Sequence, residues 1–252
     1  MTSATDAHTQ QPTLAGRRAA ITGGTTGIGR AIAVLLASEG AEVFLCGQNK
    51  DHLHDALARI EEVGTGGGIA IDLAEADNVG RFFAAAEEKM GGVDIAIINA
   101  AVAAEGITDT DEATLREVIA INFTGYLLSA HHAAKRVGDA GDIVFIGSTS
   151  AYALGPGSTI YAGIKYGIQG FTQALRRELG PKGIRVSNVE PGLTGSDMQL
   201  PDIQPDEQRE RIADETMLRA EDIAVGVHYL LTQPRRAIVQ QLTIVPRDQA
   251  EE

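Results

Sequence analysis

The chain has 252 residues, 22% of them charged and 44% hydrophobic, with a formal net charge of −13. That composition suits a soluble globular domain with a substantial core; it lacks the basic footprint nucleic acid requires and disfavours anionic membrane surfaces. The single cysteine, Cys46, excludes an internal disulfide framework and fits a reducing, cytoplasmic setting.

In chain order, Met1 to Pro12 is Thr/Gln/Ala-rich, without a basic start or an apolar stretch. It reads as a disordered tail over residues 1–13 rather than a signal peptide. Ala19-Ala20-Ile21 is a predicted strand and Ile28 to Ser38 a helix, followed by a strand at Glu42 to Cys46 and a helix at His52 to Val63. Gly68 to Ile71 is extended, Val79 to Met90 helical, Ile95 to Ile98 a strand, and Glu112 to Val137 a long helical stretch. A strand at Ile143 to Ile146, a helix carrying Tyr161 through Leu179, a strand at Arg185 to Val189, a helix at Glu221 to Leu231 and a strand at Val239 to Val245 complete the series. No run approaches the roughly 18 apolar residues of a membrane span. Near-continuous apolar strands alternating with amphipathic helices predict an α/β fold. We expect one doubly wound domain over residues 14–247, with a parallel sheet of about seven strands and helices on both faces. Leu193 to Glu215 breaks the alternation with Gly195, Pro201, Pro205 and many acids and amides. It reads as an irregular, mobile lid over the crevice at the strands' carboxyl ends.

Two clusters carry chemistry. Thr22-Gly23-Gly24-Thr25-Thr26-Gly27-Ile28-Gly29 lies between the first strand and the first helix. Glycines there let a diphosphate approach the main chain, and the helix start offers free N–H groups and a positive dipole end. No Lys-Ser/Thr pair follows, which disfavours a nucleotide-hydrolysing loop. Tyr161 and Lys165 are four residues apart, on one helix face. A nearby cation lowers a phenol's pKa and suits it to exchange a proton with an alcohol or carbonyl oxygen. Ser148 ends the apolar strand just upstream and brings a hydroxyl to the same place. The histidines, in the pairs His52/His54 and His131/His132, have poor metal-ligand spacing, so no metal site is expected. Tyr152 could reach a substrate pocket, whereas Tyr166 points elsewhere.

These residues together resemble the short-chain dehydrogenase/reductase family. Residues 22–29 are similar to its TGxxxGxG signature, Ile98-Asn99-Ala100-Ala101 to its NNAG, Asn122 to its helix asparagine, Ser148, Tyr161 and Lys165 to its catalytic residues, and Pro191-Gly192 to its PG turn. The resemblance implies a Rossmann-type fold, a nicotinamide cofactor and hydride transfer to or from a small-molecule alcohol or carbonyl. In it Tyr161 is the general acid/base, Lys165 lowers its pKa and binds the nicotinamide ribose, Ser148 orients the substrate oxygen, and Asn122 holds a water linking Lys165 to solvent. It also implies cofactor contacts at Gly23, Thr25, Thr26, Gly27, Ile28, Gln48, Asn99, Pro191 and Gly192, and at Asp72 and Leu73 near the adenine. Thr194 or Ser196 would hold the carboxamide. The end of the second strand carries neither the acid that favours NAD nor an Arg for a 2′-phosphate; Gln48, Asn49 and Lys50 can donate, which leans the choice to NADP over NAD. The last strand, without a VDGG-type ending, looks more like that of relatives acting on small secondary alcohols or 3-hydroxy acids than that of an acyl-carrier reductase. A catalytically silent regulator usually lacks the Tyr or the Lys, and a lyase or dehalogenase on this fold fits the intact glycine turn poorly. A homo-oligomer, tetramer or dimer, is expected from the resemblance.

Overall fold

The computed structural model describes residues 12–152, 154–155 and 157–248, so most of the expected tail lies outside the described residues. Seven strands form one sheet in the order β3-β2-β1-β4-β5-β6-β7, every neighbouring pair parallel. They are β1 Arg18–Ile21, β2 Glu42–Gly47, β3 Thr65–Ala70, β4 Val93–Ile98, β5 Val137–Ile146, β6 Arg185–Pro191 and β7 Gln241–Ile244. The helices are α1 Gly27–Ser38, α2 Lys50–Glu61, α3 Ala76–Met90, α4 Glu112–Ile119, α5 Gly125–Ala134, α6 Thr159–Leu179, α7 Pro205–Ala213 and α8 Ala220–Leu231.

Alternate strand residues feed two cores. Ala96, Ile98, Ile143 and Phe145 pack with Phe82 and Phe83 of α3, Ala130 of α5 and Ile168 of α6. Ile95, Ile97, Val144 and Ile146 face the other way, onto Ile32 and Leu36 of α1, Ile60 of α2 and Val227 of α8. Burial on both faces is why the strands read as unbroken apolar runs. The chain winds outward from β1 to β3, then returns to place β4 on β1's other side. The carboxyl ends of β1 and β4 diverge at that reversal and leave a crevice.

The opposite end of the sheet is tied by an ionic cluster. Asp142, buried, accepts from Arg17 (2.9 Å), Arg185 (2.6 Å) and Arg235 (2.9 Å). Arg185 also donates to the carbonyls of Leu231 and Gln233. Asp142→Ala would leave the buried Arg185 uncompensated, and the expected loss is about 3–5 kcal/mol of stability. Urea unfolding should show this as a lower midpoint, with activity per folded molecule unchanged because the cluster lies far from the crevice. A wild-type midpoint would refute it.

Three elements differ from expectation. The stretch Glu112 to Val137 is not one helix: a π-helical turn at Ala120–Thr124 separates α4 from α5, and β5 begins at Val137. The Leu193–Glu215 segment is not irregular throughout, because it contains α7. Pro205 occupies the first turn of α7, where its missing N–H costs nothing, and the helix's polar composition hid it from a hydrophobic-period reading. The last strand is shorter than predicted, at Gln241–Ile244.

Candidate active site

A cavity of about 810 Å³ opens at the carboxyl ends of the strands. Its floor at one end is the glycine turn, where Gly23, Thr25, Thr26, Gly27 and Ile28 all line it. Gly23 and Gly27 have φ of +63° and +51°, a region that favours glycine. A Cβ on Gly29 would lie 2.1 Å from the Gly23 carbonyl oxygen, so α1 can pack this close only without a side chain. No side chain caps the first turn of α1 and no acid stands in it, which leaves its N–H groups and dipole for an anion. Asn99 braces the turn rather than lining it alone: its Nδ2 donates to Gly23 O (2.9 Å) and its backbone N–H to Thr22 Oγ1 (2.9 Å). These residues fit a dinucleotide's diphosphate.

Gln48, Asn49, His52, Ile71 and Leu73 form the far end. Asp72, expected beside the adenine, does not line the cavity. Its carboxylate accepts from Gln48 Nε2 (2.7 Å) and from the Ala74 N–H (2.9 Å), because it closes its own turn. Asn49 caps α2 by accepting from the Asp51 and His52 N–H groups. No carboxylate from β2 therefore reaches this end.

At the other end Ser148, Tyr161 and Lys165 line the same cavity, with Pro191, Gly192, Thr194 and Ser196 along one side. β5 delivers Ser148, whose hydroxyl accepts from the Ser150 N–H (3.1 Å) and donates to Ser150 Oγ (3.0 Å). α6 carries Tyr161 and Lys165 one turn apart. Lys165 is 2% exposed, and its Nζ donates to the Ile146 carbonyl (2.9 Å) and to Tyr126 Oη (3.1 Å) while lying 5.4 Å from the centre of the Tyr161 ring. Tyr161 Oη approaches the Met198 sulfur at 3.9 Å. Thr194's hydroxyl donates to the Gly192 carbonyl (2.9 Å), whereas Ser196 faces Gly27 across the cavity.

The pair's titration differs from the expectation that Lys165 lowers the Tyr161 pKa. Burial pushes the Tyr161 phenol up to about 12, with the Ser148 hydroxyl working in the opposite direction. Burial also draws the Lys165 ammonium down to about 7. Desolvation penalises the charged form of each group. The consequence for stability has a definite sign. Lys165 has a folded pKa below its unfolded value of 10.5, so the unfolded chain binds more protons between the two and stability rises with pH across that window. Lys165→Met removes this cost. Its melting temperature relative to wild type should therefore be most favourable near neutral pH and below, and should fall back as pH rises toward 10. A difference independent of pH would contradict the burial of this charge.

Asn122 is held in place by the loop after β4. Both ends of its side-chain amide are committed to Val102, accepting from the N–H (2.8 Å) and donating to the carbonyl (2.7 Å). The π-helical turn presents this side chain to the loop after β4. The group beside Lys165 is instead Tyr126, four residues on, which sequence reading missed although that spacing sets both on one side of the helix. Tyr152 does not enter the cavity. Its hydroxyl donates to buried Glu190 (3.0 Å), which also accepts from Asn188 (2.8 Å), Gln241 (2.7 Å) and Thr243 (3.2 Å), a network that ties β7 to β6. Tyr166 is exposed, and Cys46 is buried with its thiol pushed up to about 12. Among the described residues no three His, Cys, Asp or Glu side chains are grouped to hold a metal ion, and no helix is long and apolar enough to cross a membrane.

The family model for short chain dehydrogenases matches residues 17–207, which spans the glycine turn, Ser148, Tyr161 and Lys165. The chain belongs to the short-chain dehydrogenase/reductase family. An uncharacterized oxidoreductase of Staphylococcus aureus (strain MRSA252) is 31% identical over 231 residues, covering 90% of this chain and 96% of that protein. A short-chain dehydrogenase/reductase of Armillaria gallica is 36% identical over 184 residues, 70% of each chain. Among solved structures, a short chain dehydrogenase from Burkholderia cenocepacia J2315 in complex with NADP superposes with a TM-score of 0.83 at 33% identity, covering 93% of this chain and 98% of that one. A dehydrogenase/reductase from Sinorhizobium meliloti 1021 gives 0.82 at 35% identity, covering 92% and 95%. This short-chain dehydrogenase/reductase is thus an oxidoreductase on a Rossmann-type sheet, and its family uses NAD or NADP.

Proposed function

We propose that the protein is an NADP-preferring dehydrogenase/reductase that interconverts an alcohol and a carbonyl compound, with Tyr161 as general acid/base. The observation that carries this reading is the convergence of Ser148, Tyr161 and Lys165 on the cavity whose other end is the bare glycine turn. The cofactor, when bound, supplies or accepts the hydride. In the reductive direction Tyr161 Oη gives its proton to the substrate oxygen, and Ser148 holds that oxygen and shares the charge developing on it. Lys165, when protonated, favours the phenolate that this transfer leaves behind and offers a donor to the cofactor ribose. Gly23, Thr25, Thr26, Gly27 and Ile28 receive the diphosphate, Gln48 and Leu73 the adenosine end, and Pro191, Gly192 and Ser196 the nicotinamide end. Asn122 supports the site by fixing Val102.

The NADP preference rests on the absence of a β2 carboxylate along the cavity and on the donors Gln48 and His52 there. The related Burkholderia protein in complex with NADP agrees with it. We expect kcat/KM about 10-fold higher with NADP than with NAD, the worth of one charge-assisted hydrogen bond. Steady-state kinetics with both cofactors tests this, and a higher value with NAD overturns it.

Ala103, Ala104, Met198 and Leu200 line the cavity together with the polar Ser150, Asp197 and Gln199, a mixed lining that suits a compact secondary alcohol or 3-hydroxy acid better than a carrier-tethered acyl chain. Residues 193–215 act as the lid of that end. The working molecule is a cytoplasmic homo-oligomer, and exposed Tyr166 on α6 with Val225 and Tyr229 on α8 supplies apolar contact surface for it. Following the reduced-nicotinamide absorbance across a panel of small ketones, aldehydes and 3-oxo acids tests the activity. A protein that binds NADPH tightly yet oxidises it with none of them would favour the silent-regulator reading instead.

A further inference from the structure

Tyr126 is a large, fully buried phenol in the middle of an otherwise apolar core face, at 1% exposure. Its ring packs near Phe145, with centroids 6.3 Å apart, while its hydroxyl reaches the carboxyl ends of β4 and β5. There it lies 3.0 Å from the Ile146 carbonyl and 3.2 Å from the Asn99 carbonyl, and it accepts from Lys165 Nζ at 3.1 Å. Lys165 Nζ itself donates to Ile146 O at 2.9 Å, so the ammonium, the phenol and one carbonyl form a closed triangle. The Tyr126 ring also lies under the ammonium, 4.8 Å from centroid to Nζ.

We propose that Tyr126 is the positioning residue of Lys165: its hydroxyl stands behind the ammonium, holds it in the charged form and aims it at Tyr161 and the cavity. This rests on the catalytic reading above and extends it to a residue that touches neither cofactor nor substrate. The phenol's oxygen does more than packing requires. The ring alone satisfies the packing, and a phenylalanine would fill the same space without an oxygen that must be paired. The oxygen accepts from the Lys165 ammonium while its own proton points to the Ile146 and Asn99 carbonyls. The titratable groups facing Lys165 are Tyr126 from α5 and Tyr161 from its own helix, while β5 offers the Ile146 carbonyl and the Ser148 hydroxyl. Among the described residues Lys165 forms no ion pair with a carboxylate, so neutral oxygens alone offset its desolvation. Both carbonyls beyond Tyr126 are backbone groups and cannot carry a proton onward. Tyr126 therefore closes the inner side of Lys165, and proton exchange of the Tyr161/Lys165 pair is directed to the cavity side.

Tyr126→Phe removes the oxygen and keeps the ring. An acceptor lost from the charged form lowers the Lys165 midpoint, by about one unit. The chain has only five lysines, so carbon-13 NMR of lysine-labelled protein follows Lys165 directly, assigned by its absence in Lys165→Met. A midpoint lower in folded Tyr126→Phe than in wild type is the expected result, and an unchanged midpoint overturns the proposal. Should Tyr126→Phe not fold, 3-fluorotyrosine placed at position 126 alone weakens the oxygen as an acceptor at nearly constant size; the midpoint should move the same way, and no movement overturns the proposal equally. In turnover of 9,10-phenanthrenequinone with NADPH, the basic limb of the pH profile should move down with the midpoint. The titration needs no turnover, so it separates this inference from its parent. An active Tyr161→Phe enzyme refutes the catalytic reading, whereas an inactive one with an unmoved Lys165 midpoint in Tyr126→Phe refutes only the role of Tyr126.

Discussion

Tyr161→Phe is expected to bind NADPH as wild type does and to lose turnover by about 10²–10⁴-fold, the usual contribution of a positioned general acid. The substitution deletes one oxygen. The ring stays on α6, Lys165 keeps its bonds to Ile146 and Tyr126, and the glycine turn at the other end of the cavity is untouched. What disappears is the phenolic hydroxyl that α6 brings to the cavity one turn from Lys165. Ser148 does not replace it, because its hydroxyl is engaged with Ser150 and belongs to a group far less acidic than a phenol. Fluorescence titration with NADPH and single-turnover rates measure the two halves of the expectation separately. A variant that retained more than about a tenth of the wild-type rate would fall outside the range for general acid catalysis and would remove Tyr161 from the reaction.

The second large effect concerns the phosphate end. In Gly29→Ala the new methyl would sit 2.1 Å from Gly23 O and 2.6 Å from Asn99 Nδ2, and the first of these is backbone that cannot swing aside. Either α1 backs away from the turn or the turn opens, and both displace the N–H groups that a diphosphate needs. A shift of about 1 Å is enough to cost on the order of 100-fold in a positioned interaction, so NADPH affinity should fall by about that factor. Overpacking should also cost about 1–3 kcal/mol of stability. Gly170→Ala is the control. It lies within α6 with nothing near the added methyl, and helix propensity alone should stabilise it by about 0.5–1 kcal/mol. Calorimetry and cofactor titration of the two variants should move in opposite directions in stability, with affinity lost only in Gly29→Ala. Wild-type affinity in that variant would mean that the cofactor does not use this turn.

Much of the site was legible because it is local. The glycine turn announces itself by falling between a strand and a helix, and Tyr161 and Lys165 by their one-turn spacing. What sequence reading missed involves partners far along the chain. Asn122 pairs its side-chain amide with Val102, twenty positions before it. Tyr152, near the catalytic segment in sequence, is drawn away by Glu190 on β6. For Tyr126 no pattern in the sequence says that its hydroxyl meets a lysine thirty-nine positions later.

The sequence by itself determined the layered α/β architecture, since apolar periods of two kinds alternate and burial on both sheet faces demands them. It pointed to the family as well, because the glycine turn and the one-turn spacing of Tyr161 and Lys165 are local patterns. The tertiary structure alone decided the electrostatics of the pair. Burial is a property of the assembled core, and it drives the Tyr161 phenol up to about 12 and the Lys165 ammonium down to about 7, a desolvation that one-turn spacing does not reveal. It also decided which polar groups are free and which are spent, because a hydrogen-bond partner contributed by another strand leaves no trace in the residue's own neighbourhood.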